Sequence, residues 1–143
     1  MEILSPYLLA AACAWLVAQG LKYLYLSITT HSLLDVRQLY LSGNMPSAHS
    51  ATTVALLVVI GARDGVNSAL FGLAALFAAV VMYDAVMVRR SSGEQGKAIL
   101  AMLAQQKSDI TRPRVAKGHT PLEVLVGACV GAIIGIVVFL ATR

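Results

Sequence analysis

Apolar residues in this chain fall in long blocks rather than in the short alternations of a soluble fold. A bilayer core of roughly 30 Å takes about 20 apolar residues in helical form. Blocks at residues 6–25, 46–62, 67–88 and 121–141 therefore predict four transmembrane helices, the second of them short for a full crossing. Ser5 is placed to cap the first, with Pro6 at the tolerated first helical position. That block has no basic start and no small-residue cleavage site leading into a polar chain, so it does not read as a removable signal peptide. In the fourth, Gly127, Gly131 and Gly135 recur every four residues and put a smooth strip on one helix face for close packing.

Two stretches read differently. Residues 29–44 are polar at intervals and predict a short interfacial helix around 33–40. Residues 94–107, EQGKAILAMLAQQK, have an apolar middle and polar ends, the pattern of a helix lying at the membrane surface. No repeat or linker interrupts the chain, so residues 1–143 read as a single membrane-embedded domain. The expected fold is an all-α integral membrane protein, four transmembrane helices plus one interfacial amphipathic helix.

Composition narrows the class. Of 143 residues, 58% are hydrophobic and 13% charged, and the mean hydropathy is +0.76. Soluble domains carry about 25% charged residues, which excludes that reading. Cys13 and Cys129 both lie inside apolar blocks, where a thiol behaves as a small hydrophobe, so no disulfide is expected. The net charge of +4 is modest, and nothing in it points to nucleic acid.

The distribution of charge says more. With four spans, Lys22, Arg37, Arg89, Arg90, Lys97, Lys107, Arg112, Arg114 and Lys117 share one side, against Arg63 and Arg143 on the other. The positive-inside rule makes the basic side cytoplasmic. A multi-pass protein of the cell membrane follows, with its polar site facing the cytoplasm.

All three histidines fall on or beside that basic side. His49 lies in Met45-Pro46-Ser47-Ala48-His49-Ser50 and His119 in Gly118-His119-Thr120-Pro121-Leu122-Glu123, and each opens a transmembrane helix. Helix N-termini offer unpaired N–H groups and the positive end of the helix dipole to an anion. With Lys22, Arg89 and Arg90 nearby in topology, two such ends form a cationic pocket suited to a lipid phosphate. Phosphoryl transfer needs a nucleophile, cations on the equatorial oxygens and an acid for the leaving group; two imidazoles in opposite protonation states supply the first and last. No cofactor is called for, and no His, Asp and Glu cluster has metal-ligand spacing. Asp84, about one and a half turns inside an apolar helix, costs about 2.5–3.5 kcal/mol on insertion scales and is expected to support the site by pairing with an arginine or histidine. Thr120-Pro121-Leu122-Glu123 also forms a capping box, so Glu123 has two jobs available to it. His31 is expected in a loop, and Arg112, Arg114 and Lys117 are expected to orient the chain at the headgroups.

Met45-Pro46-Ser47-Ala48-His49-Ser50 resembles the P-S-G-H element of the type 2 phosphatidic acid phosphatase superfamily, which groups lipid phosphate phosphatases with vanadium-dependent haloperoxidases. His119-Thr120-Pro121-Leu122-Glu123 resembles its H-x-x-x-D element. Residues 43–51, Asp84-Ala85-Val86-Met87-Val88-Arg89-Arg90 with Gly93 and Gln95, and residues 118–124 are similar to the three signatures of its divergent bacterial and plastid branch. The resemblance implies that His119 is the nucleophile, Glu123 its orienting carboxylate and His49 the acid. It further implies that Lys22, Arg89, Arg90 and Ser47 bind phosphate. The usual K-x6-R-P element is absent and S-R-x5-H spacing fails, Pro113 standing six before His119, so Lys22 is assigned by position and the choice among Arg89, Arg90, Arg112 and Arg114 stays open. Ala48 stands for Gly or Ser, Met87 for Gly, and Glu123 for Asp.

The implied activity is metal-independent hydrolysis of a lipid phosphomonoester or pyrophosphate through a phosphohistidine. The alternative is a catalytically silent protein that binds anionic headgroups as a scaffold or regulator. Expected partners are the lipid substrate and bulk membrane lipids, and four spans leave packing surface enough for a homo-oligomer. A transporter has less support, since no polar file runs through the spans.

Overall fold

The computed structural model of the chain describes residues 5–30, 45–106, 110–112, 115 and 118–143. The interfacial helix expected around 33–40 lies outside them, as do His31, Arg37, Lys107, Arg114 and Lys117. The described elements are helices: α1 (Pro6–Thr30), α2 (Ala48–Asp64), α3 (Ala69–Tyr83), a π-helical turn (Asp84–Val88), α4 (Arg89–Gln105) and α5 (Pro121–Ala141).

Polar caps set where three of these start. Ser47 caps α2, Ser68 caps α3 by accepting the Phe71 N–H, and Thr120 caps α5. α5 coincides with its apolar block, whereas α1 runs five residues past Tyr25 and α2 begins two residues after Pro46. α2 ends at Gly65, whose φ of 86° suits a residue without a Cβ.

α2 is the hub, packing against α1, α3 and α5, while α1 also meets α5. Small residues let the backbones approach. Ala10, Ala14 and Ala18 form a fully buried stripe on α1, and Ala51, Ala55 and Val59 are buried to the same degree on α2. The glycine strip of α5 lies on the carbonyls of Ser47, Ala51 and Ala55. A Cβ at Gly135 would stand 2.8 Å from Ala55 O, inside contact distance, so only glycine permits this spacing. Lys22 and Leu26 continue the α1 stripe at the same four-residue interval, and both are buried.

Large apolar side chains point the other way. Leu16, Leu24, Leu73, Phe77, Ile133 and Val137 are exposed on the outside of the bundle. A belt of that kind belongs against hydrocarbon. Among the described residues, three helices are long and apolar enough to cross a membrane: Pro6–Thr29, the continuous stretch Ala69–Gln105, and Pro121–Ala141. This is a multi-pass membrane protein. α2, at 17 residues, falls just short of that length.

The separate interfacial helix expected at 94–107 is corrected by the structure. α3, the π turn and α4 form one helical stretch of 37 residues with no break at Arg89 or Arg90. The two arginines and the polar residues after them end the apolar surface, but no proline follows to interrupt backbone hydrogen bonding, and Gly93 and Gly96 are tolerated within a helix. At 1.5 Å per residue the stretch is about 55 Å long, well beyond a 30 Å hydrocarbon core, so its amphipathic part is an extension of the third span.

Candidate active site

His119 precedes α5 and is 4% exposed. Its Nδ1 lies 2.9 Å from Glu123 Oε2. A carboxylate only accepts, so the contact holds the imidazole proton on Nδ1 and leaves the lone pair on Nε2. The same Oε2 accepts the Thr120 N–H at 3.2 Å, while Thr120 Oγ1 accepts the Glu123 N–H at 3.3 Å. Glu123 therefore closes the capping box and orients His119 at once. Burial holds the His119 pKa below the ordinary histidine value, and the Glu123 carboxylate pulls against that shift. Burial thus favours the uncharged imidazole, the form in which a histidine can act as a nucleophile.

The backbone around His119 is pinned from two directions. Its N–H donates to Ala85 O at 3.0 Å, and Ala85 sits in the π turn. A π turn takes carbonyls out of the i→i+4 register of the helix, which suits one of them to a partner on another element. Just before it, Gly118 lies directly on the backbone of Arg90, where any Cβ would overlap. From the other side, Ser47 N–H donates to Glu123 O at 3.1 Å, and Gly127 packs on Ser47. The start of α2, the start of α5 and the end of α3 thus meet at one end of the bundle.

Other expected residues gather at that end. His49, in the first turn of α2, is exposed and within electrostatic reach of His119, Lys22, Arg89 and Asp84. Lys22 is 5% exposed and within reach of both Glu123 and His119. Arg89 donates from Nε to Asp84 Oδ2 at 2.6 Å, so one carboxylate steers the guanidinium. In a regular α-helix residues five apart diverge by about 140°, and the wider π turn brings Asp84 and Arg89 to the same side.

The other two expected residues have partners of their own. Arg90 is exposed, pairs with Glu94 at 3.3 Å, and lines a cavity of about 550 Å³ together with Gly93, Lys97, Gly118 and His119 itself. Ser47 is fully buried, and its Oγ accepts from the Ser50 hydroxyl at 2.9 Å and from the Ser50 N–H at 3.4 Å. With its N–H held by Glu123 O, Ser47 also ties the start of α2 to α5. Arg112 is exposed.

Ala85 and Gly118 were not singled out by residue chemistry. A backbone carbonyl leaves no mark in a sequence, though the five-residue spacing of Asp84 and Arg89 within an apolar helix hints at a π turn. Among the described residues no group of three or more His, Cys, Asp or Glu side chains is placed to hold a metal ion.

Comparison with known proteins adds family evidence. The family described as Divergent PAP2 matches residues 4–134. The uncharacterized membrane protein YuiD of Bacillus subtilis (strain 168) is 31% identical over 153 aligned residues, covering 96% of each chain. No solved structure matches the chain.

Proposed function

This chain belongs to the divergent PAP2 family, and we propose that it is a lipid phosphate phosphatase working through a phosphohistidine. One observation carries the reading: a buried histidine, pinned through its backbone, has Nδ1 held by a carboxylate at 2.9 Å and so has Nε2 free. Lys22, Arg89 and His49 converge on it.

In the proposed reaction His119 Nε2 attacks phosphorus as the bond to the leaving oxygen breaks, and His49 gives that oxygen a proton. Lys22 and Arg89 balance the charge on the non-bridging oxygens, and Glu123 stabilises the imidazolium that forms. Water then attacks the phosphohistidine, His49 takes its proton, and the P–N bond breaks to release inorganic phosphate and restore His119. Each group returns to its starting state.

In the same reading α2 is a fourth, short crossing, and the positive-inside rule turns the site toward the cytoplasm. Labelling of a cysteine introduced beside Arg112 by a membrane-impermeant reagent in intact cells overturns that orientation.

The headgroup-binding alternative uses the same cations without turnover, since Lys22 and Arg89 lie within reach of His119 whether or not it reacts. Purified protein in mixed micelles separates the two. Phosphate release from phosphatidate, phosphatidylglycerophosphate or polyprenyl pyrophosphate, together with an acid-labile phosphoenzyme absent from His119→Ala, is the expected result. If wild type and His119→Ala are equally inactive on all three lipids, the enzyme reading is dropped.

A further inference from the structure

On the lipid side of the polar cluster, the end of α3 and the start of α5 leave an apolar groove of about 560 Å³ between them. One wall is built by Tyr83, Val86 and Met87, the other by Val124 and Ala128, with Pro121 at one end. Tyr83 and Met87 are 63% and 54% exposed, so the groove opens outward to the hydrocarbon.

Its position relative to the site identifies an occupant. Pro121 is two residues past His119, Val124 follows Glu123, and Met87 stands two before Arg89. From Pro121 to Ala128 the axis of α5 rises about 10 Å away from His119. A cationic cluster thus continues into an apolar trough running along the helices. That sequence of surfaces matches an amphiphile with an anionic head and a hydrocarbon tail; an inorganic or water-soluble phosphate would leave the trough unused.

We propose that this groove binds the hydrocarbon chain, next to the headgroup, of the lipid whose phosphate His119 attacks, and that it sets chain selectivity. The headgroup half of this assignment rests on the phosphatase reading; the groove half is testable without turnover. Bulk at Ala128 closes the trough where the chain leaves it.

The test uses full-length protein in nanodiscs and a phosphatidate analogue with a diazirine partway along one acyl chain. Cross-links concentrated in residues 82–87 and 121–128, and displaced by unlabelled phosphatidate, are expected. Ala128→Phe is expected to weaken that labelling and to lower the ratio of hydrolysis of 18-carbon over six-carbon phosphatidate at least about five-fold. Labelling spread evenly over the exposed faces of α1 and α5, or not displaced by phosphatidate, overturns the proposal. So does an equal loss of both chain lengths in Ala128→Phe, or conversion of a dimer to a monomer, which would mean that a second copy covers the groove. Displaceable labelling in the groove without phosphate release from any lipid would sink the phosphatase reading and leave the groove standing.

Discussion

The two histidines open two neighbouring helices and are held in opposite ways. His119 lies before its helix, buried, with its ring on Glu123 and its N–H on the π turn. His49 lies inside the first turn of α2, one residue beyond Ala48, and its side chain is exposed. A nucleophile gains from fixed aim, because misplacement by about 1 Å costs about 10²-fold. A general acid must instead meet first the leaving oxygen and then the incoming water whose proton it takes back, and an exposed ring is open to both. The difference in burial is consistent with the division of labour that the family resemblance implies for the two rings.

The sharpest way to break this comparison is to remove each ring in turn. His119→Ala is expected to abolish phosphate release for every ester. His49→Ala is expected to cost about 10²-fold or more on an alkyl phosphate but less than about tenfold on an aryl phosphate, whose leaving group needs no proton. Equal losses on both esters would assign His49 to phosphate binding.

Next in size is Glu123→Gln. Glutamine can still close the capping box, so melting temperature is expected to hold while kcat falls about 10- to 100-fold. A fall in melting temperature with unchanged kcat would reduce Glu123 to its capping role.

A smaller effect is expected from Gly118→Ala. The new methyl overlaps the Arg90 backbone and displaces the segment carrying His119, which lowers kcat about tenfold with KM little changed. A matching rise in KM would show that the substitution disturbs the pocket rather than the aim of the nucleophile.

The smallest is a pH effect. Because burial lowers the His119 pKa, the acid limb of kcat/KM is expected below the ordinary histidine value of about 6.5. Glu123 opposes the shift, so Glu123→Gln moves that limb further toward acid. The linked stability has a definite sign: the unfolded chain takes up this proton first as pH falls through about 6.5, so the folded state loses stability there, and His119→Gln removes that loss. A limb at or above 6.5 in the wild type contradicts the burial argument.

Much of this was legible before any coordinates. Apolar runs, with the capping box at Thr120, mark the helices, since a chain in hydrocarbon must satisfy its backbone within each segment. The four-residue glycine interval foretold close packing, and the surface it meets is α2. Polarity at 94–107 predicts a separate flat helix, whereas the backbone hydrogen bonding, uninterrupted by proline, carries α3 on through α4. Arg89 and Arg90 were indistinguishable in sequence; the π turn separates them, sending one to Asp84 and the other to Glu94.

Residue chemistry by itself determined a helical membrane protein, the starts of the four apolar helices to within two residues, and which histidines, carboxylates and cations were available for a phosphate, because hydropathy, capping and side-chain chemistry are local properties. Only the tertiary structure decided which of them meet. The convergence at His119 depends on Ala85 O, on the contact of Gly118 with Arg90 and on the register of α2 against α5, and backbone positions of that kind are set by packing across elements rather than by the residues themselves.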